Sequence, residues 1–297
     1  MIQEIRIKNY LSFRDEVVLS FEATKDTTFE ECQVANVTPK VRLLRFALIY
    51  GANASGKSNL LKAMDFLRDF WFDKKSDIDE ETGVVPFLLD TETPNEPSEF
   101  NIKFFVGDKR YWYALVLDDK QVIKEDLYVY NSVQPSLVFS RELDGTASLI
   151  KLNASLVKAN ATILEQLNVK CLSNMSFFAA RNQVNCSLAY IDEVRDWMKN
   201  NMMPIIEPGT RMFEYAGKQM EKNAELKAYI LDFVHKADYN ITDVYTEREK
   251  VPIPDFVKTS IMEDKDIPEK TKEKMRADNA LERLRTCLLY TSPSPRD

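Results

Sequence analysis

The sequence predicts a mixed α/β fold, and three observations carry that prediction. Residues 45–50 (RFALIY) form a short, nearly unbroken apolar run that stops at Gly51, as a buried strand bounded by a turn does. Leu60, Met64, Leu67 and Trp71 then fall at i, i+4, i+7 and i+11, which is one face of a helix. Between Phe100 and Leu152, short β-prone runs alternate with turn residues, the pattern of an antiparallel meander.

Taken in order, Ile2, Ile5 and Ile7 open a period-two segment, and residues 17–21 follow as a second short apolar run. Together they predict a hairpin turning at Ser12, Phe13, Arg14 and Asp15. Residues 73–98, charged at first and turn-rich from Pro94 to Pro97, read as a surface connection. Residues 100–106 and 111–117 flank a turn at Gly107, Asp108, Lys109 and Arg110, and residues 122–130, 137–139 and 148–152 continue the meander. Tyr111, Trp112 and Tyr113 raise the idea of a base-stacking platform, but aromatic filling of a sheet surface is the preferred reading. From Asn153 the pattern turns helical. Leu188, Ile191, Val194 and Met198 share one face, as do Leu226, Ile230 and Phe233. Residues 263–285 are highly charged and read as a helix from Pro268 onward. The expected layout is one domain over residues 1–285, with a core at 1–72, connection and meander at 73–152, and a helical region at 153–285.

Composition narrows the function. The 297 residues are 44% hydrophobic and 29% charged, enough to bury a sizeable core. Forty basic against 47 acidic side chains, a net charge of −7, argue against a surface that binds nucleic acid over its whole extent. The single histidine, His235, excludes multi-histidine metal centres. No apolar run approaches the ~20 residues of a membrane span, so a cytoplasmic protein is expected. Cys32, Cys171, Cys186 and Cys287 show no paired spacing and read as reduced thiols. Residues 287–297 (CLLYTSPSPRD) match, codon for codon, the translation of a transposase-type sequencing adapter. Residues 286–297 are therefore expected to be an artefact, and the natural gene to continue further.

One motif carries chemistry. Gly51, Ala52, Asn53, Ala54, Ser55, Gly56, Lys57 and Ser58 fit G-x-x-x-x-G-K-[ST], the phosphate-binding loop. The glycines let the chain curl around a phosphate, so that successive N–H groups form an anion nest. The helix beginning near Lys57 adds unpaired amides and the positive end of its dipole. Lys57, the candidate catalytic residue, is expected to reach the β- and γ-phosphates of ATP, and the Ser58 hydroxyl to bind Mg²⁺. Asn59, the next residue, is counted with the nucleotide-binding set. Two of only seven glycines fall inside this window, between an apolar run and an amphipathic helix.

With these residues in hand, the chain resembles the ATP-binding-cassette-type ATPases of the SMC, RecF and OLD-like group, bacterial AAA family ATPases often found in phage-defence loci. The opening Ile5 to Phe13 (IRIKNYLSF), the loop GANASGKSNLLKAM, residues 87–90 with 97–100, and Lys236, Ala237, Asp238 and Ile241 carry the resemblance. It implies the N-terminal half of a P-loop NTPase of ABC-ATPase type, an ATPase with ATP and Mg²⁺ as ligands. It also implies a homodimer through the ATPase heads, and DNA or a separate nuclease as partners. Related proteins often carry a basic residue where this chain has Leu11; that phosphate contact is then absent or supplied by Arg14.

The family's signature loop, Walker B acid and switch histidine are expected in the missing C-terminal part, leaving a fragment that binds ATP with little turnover. Asp192 and Glu193 superficially resemble a Walker B end, but they sit within helical spacing. His235, Lys236 and Asp238 resemble a guanine-reading motif with His in place of Asn. An ATP-regulated nuclease or toxin, its catalytic domain in the missing part, and a P-loop kinase are the alternative functions.

Overall fold

The computed structural model describes residues 1–145, 147–207, 209–210, 212–237, 241–263, 272 and 280–290, the last stretch by its backbone alone. The chain forms two compact units, Met1–Ile205 and Ile206–Asp297. The fold is mixed α/β, as the sequence predicts.

In the first unit, β1 (Ile2–Lys8) and β2 (Val17–Ser20) make the expected hairpin, with Ile5 opposite Leu19 and Ile7 opposite Val17. A four-residue helix α1 (Glu30–Gln33) leads into a separate ribbon of β3 (Val34–Thr38) and β4 (Val41–Leu44). After α2 (Lys57–Phe70) come β5 (Ser98–Val106), β6 (Lys109–Leu117), β7 (Val122–Tyr130), β8 (Ser136–Asp144) and β9 (Ala147–Leu152). They join the first hairpin in one seven-stranded antiparallel sheet, ordered β2-β1-β5-β6-β7-β8-β9. The meander is thus continuous with the N-terminal strands, because β1 pairs with β5 along its length.

Alternation puts Ile5, Ile7, Phe100, Ile102, Phe104, Tyr111, Tyr113, Leu115 and Leu127 on one buried face. Against it pack Leu60, Ala63, Leu67 and Phe70 of α2, with α3 (Ala161–Lys170), α4 (Phe177–Arg181) and α5 (Ile191–Asn201) completing the layer. Trp112 points to the opposite face and stacks on Tyr128 at 4.6 Å, so the three consecutive aromatics do not share a surface.

Two charged side chains lie fully inside this core. Glu125 accepts from Tyr113 Oη at 2.9 Å, Ser176 Oγ at 2.8 Å, the Phe177 amide at 2.8 Å and Arg141 Nη1 at 3.1 Å. Arg141 also donates to Ser148 Oγ and to the carbonyls of Leu172, Ser173 and Met175. The pair holds the segment before α4 against β7, β8 and β9.

The second unit contains α6 (Phe213–Lys222), α7 (Ala224–Lys236), β10 (Ile241–Pro252), α8 (Asp255–Glu263) and β11 (Ala280–Tyr290), with β10 and β11 paired antiparallel. Its small core gathers Met220, Ile241 and Val244, with Ile230, Leu231 and Val234 of α7 against them.

Three expectations are corrected. Residues 45–50 are not a buried strand: the ribbon ends at Leu44, and Phe46, Leu48, Ile49 and Tyr50 are exposed. An apolar run becomes a strand only when a neighbour supplies its ladder, and among the described residues no strand pairs with it. The helical region expected over residues 153–285 gives way to strands at β10 and β11, so residues 280–285 are strand rather than helix. The rest of the helix expected from Pro268 lies outside the described residues, apart from Lys272. Phe233 is exposed rather than on the packed face of α7, which turns Ile230, Leu231 and Val234 inward instead.

Candidate functional site

The phosphate loop spans residues 51–56 and delivers the chain into α2. Its last residue, Gly56, is the N-cap of that helix at φ 88°, a left-handed conformation natural to glycine. Gly51 faces a neighbour instead: a Cβ there would stand 2.7 Å from Ser55 Oγ, so a side chain at this position would have to displace the serine hydroxyl. Ala54 also adopts a positive φ of 63°, a local strain that the motif pattern does not reveal.

What the loop presents is a helix N-terminus without internal satisfaction. Gly56 offers no side-chain cap, and the first turn of α2 carries no acidic residue. The amide of Leu60 already bonds the Gly56 carbonyl, while those of Lys57, Ser58 and Asn59 belong to the turn that has no intrahelical acceptor. Other helices of the same chain are finished differently. Asn160 and Asn223 accept from the first-turn amides of α3 and α7, and α5 carries Asp192 and Glu193 in its first turn.

A cavity of about 240 Å³ opens over this end of the helix, lined by Ala54, Ser55, Gly56, Lys57, Ser58 and Asn59. Lys57 Nζ donates to the carbonyls of Gly51 at 2.9 Å and Ala52 at 2.6 Å, with Ser55 Oγ at 3.5 Å. An ammonium has three protons, so a phosphate oxygen reaching Nζ replaces the longest of these contacts first. Gly51, Ala52, Asn53, Ala54, Ser55 and Ser58 are all solvent-exposed, as a ligand-receiving loop requires. Ser58 lines the same cavity, and its hydroxyl is an oxygen ligand of the kind a hard cation such as Mg²⁺ takes. Of the nine sequence-predicted residues, Ala54, Ser55, Gly56, Lys57, Ser58 and Asn59 line the cavity, Gly51 and Ala52 accept from Lys57 Nζ, and Asn53 is exposed and not among the lining residues. The Asn59 side-chain amide is turned to Ser12 Oγ, at 2.9 Å.

Other sequence candidates lie apart from the loop. Arg14 pairs with Asp90, Nε to Oδ2 at 3.0 Å, and the Thr93 hydroxyl and amide hold the Asp90 carboxyl below its usual range. Leu11 has its amide bonded to the Val85 carbonyl. Asp192 pairs with Arg181, and Glu193 with Lys109 and Tyr111, which anchors α5 to the sheet. His235 and Lys236 continue α7, and Asp238 lies outside the described residues. The residues that sequence reading missed are Ser12 and Phe13, whose approach to Gly56 and Asn59 is a contact between distant parts of the chain.

Residues 46–152 match a protein-family profile described as "AAA domain, putative AbiEii toxin, Type IV TA system". The matched stretch takes in the phosphate loop, α2 and the meander; the β1–β2 hairpin and α3 to α5 lie outside it. No curated protein and no solved structure matches the chain. The similarity supports nucleotide binding of the P-loop ATPase kind. Among the described residues, no helix is long and apolar enough to cross a membrane, and no three His, Cys, Asp or Glu side chains gather as a metal site.

Proposed function

We propose that the chain is the nucleotide-binding part of an ATPase head of the ABC type, in the SMC, RecF and OLD-like manner. The observation that supports this most strongly is the N-terminus of α2. It is reached through a glycine in the left-handed region, left without a cap or an acid, and faced by Lys57 and Ser58. A triphosphate supplies what that end lacks: anionic oxygens for the free amides and for Nζ.

The division of labour follows from the chemistry of each group. The amides of residues 57–59 and the helix dipole neutralise charge on the phosphate chain without having to reorganise. Lys57 bridges the loop carbonyls to the terminal phosphate and stabilises charge that grows there during transfer. Ser58 would hold Mg²⁺, which withdraws charge from the same oxygens when bound. No single contact suffices: a charge-assisted hydrogen bond contributes about 1.5–3 kcal/mol, against about 8 kcal/mol for micromolar binding. The nest works as a set.

Hydrolysis also needs a carboxylate to orient water, and Asp192 and Glu193 do not serve, being held in ion pairs along α5. In this proposal that acid and the signature loop come from further chain and from a second copy. Two heads close on ATP and open after hydrolysis, in the cytoplasm, and act on DNA or license a partner nuclease, as in phage defence. The test is phosphate release from Mg-ATP by the full-length protein, alone and with DNA, beside a nuclease assay. Turnover that vanishes in Lys57→Ala supports the ATPase reading. Nucleic-acid cleavage favours the nuclease alternative, and transfer of phosphate to an acceptor favours a kinase.

A further inference from the structure

The turn between β1 and β2 touches the phosphate loop from outside the contiguous motif. Asn59 Nδ2 donates to Ser12 Oγ at 2.9 Å. A Cβ added to Gly56 would lie 2.9 Å from both Ser12 Oγ and Phe13 Cε1, so the hairpin tip sits flush against the loop's last glycine. Ser12 is exposed, whereas Phe13 packs on the main core.

The turn is held rigidly from behind. Tyr10 and Phe13 exchange backbone hydrogen bonds at 2.9 and 2.8 Å, and the Leu11 amide donates to Val85. Asn9, almost wholly buried, donates to the carbonyls of Thr93 at 2.7 Å and Glu96 at 2.8 Å, and accepts from the Phe87 amide at 2.9 Å. Asn9 and Leu11 both adopt positive φ, 51° and 50°. Asn adopts that region readily, and Leu11 is held in it by its amide hydrogen bond to Val85. By contrast the phosphate loop is tied internally by little more than the Ser55 amide to Ala52 and the contacts of Lys57. An exposed, lightly tied loop thus leans on a stiff turn.

We propose that Ser12 is a positioning residue for nucleotide binding. It acts through Asn59, and with Phe13 against Gly56 it keeps the first turn of α2 in the conformation that receives phosphate. Pre-organisation of this sort raises affinity without a direct contact to the ligand. The inference rests on the nucleotide-binding reading above and adds to it a segment outside the matched stretch.

The experiment is a double-mutant cycle on the full chain with Mg-ATP as probe, measured by calorimetry, beside melting of each ligand-free variant. Ser12→Ala is expected to weaken Mg-ATP binding about two- to tenfold, the effect of one lost hydrogen bond. Its ligand-free melting temperature stays at the wild-type value, and Ser12→Thr, which keeps the hydroxyl, restores affinity. In an Asn59→Ala background, Ser12→Ala adds little further loss. If the wild type binds Mg-ATP and Ser12→Ala binds equally well, the positioning role is overturned while the nucleotide site stands. Equal losses in both backgrounds also overturn it, because Ser12 then does not act through Asn59. If the wild type itself fails to bind, the nucleotide reading falls and takes the proposal with it.

Discussion

At the start of α2, Gly56 supplies no cap, the first turn carries no acid, and Lys57 rests on loop carbonyls in an exposed cavity. Beneath β7 and β8, Glu125 and Arg141 are fully buried, and each is surrounded by partners from its own chain. Both regions concentrate polar groups. The second is closed on itself and needs nothing from outside, so it belongs to the structure. The first is left open on the solvent side, and an anion would complete it. The state of satisfaction, rather than the number of charged residues, separates a candidate site from a structural network.

The largest effect expected from this contrast is on stability. Arg141→Ala leaves the Glu125 carboxylate buried without its ion-pair partner, which costs about 3–5 kcal/mol. Urea denaturation of the variant checks this. The double variant Arg141→Met with Glu125→Leu removes both charges but orphans Tyr113, Ser176, the Phe177 amide and the carbonyls of Leu172, Ser173 and Met175, so it remains well below wild-type stability. A cost below about 1 kcal/mol for the single variant would show that the pair is not a closed structural unit.

Next comes Gly56→Ala. At φ 88°, with Phe13 Cε1 and Ser12 Oγ each 2.9 Å from the new Cβ, the substitution is strained even if those neighbours give way. A loss of about 1–3 kcal/mol is expected, together with weaker Mg-ATP binding. Both are read from melting curves with and without nucleotide.

Asn59→Asp separates the two roles of a helix end. A carboxylate in the first turn of α2 makes it resemble α5, and stabilises the ligand-free protein by about 0.3–1 kcal/mol. The same charge repels phosphate, so Mg-ATP affinity falls. If stability and affinity move in the same direction, the open helix end is not the anion site.

The smallest effect lies in the hairpin. The hydrogen bond from Arg6, aided by Lys103 and opposed by burial, holds the Glu4 carboxyl down to about 2 from an ordinary value of 4.5. A lowered carboxylate pKa gives stability that is present above pH 4.5 and is lost as pH falls toward 2. Glu4→Gln is therefore expected to flatten the decline of urea midpoints across that window, and to leave Mg-ATP binding at neutral pH unchanged.

Much of this was legible in the residues, where the determinants are local. Leu60, Met64, Leu67 and Trp71 announce α2, and the eight-residue motif places the loop at its start. Gly107 and Asp108 mark the turn between β5 and β6, since the alternation on either side fixes both strands. What escaped depends on partners far away in sequence. Residues 45–50 have strand chemistry but no ladder among the described residues, so hydrophobicity alone misplaced them. Glu125 and Arg141 sit in strands where charge suggests an outward face, and only each other and the segment before α4 make their burial tolerable. Ser12 and Asn59 meet because β1 and α2 share a core, which no spacing rule contains.

On the proposed function, the open end of α2 receives the phosphates of a nucleotide. Titration calorimetry of Mg-ATP into the full-length protein tests it most directly, with Lys57→Ala alongside. Saturable binding by the wild type is expected, about ten- to a hundredfold weaker in the variant, the equivalent of one charge-assisted hydrogen bond. No binding by the wild type, or identical isotherms for the two proteins, would contradict it.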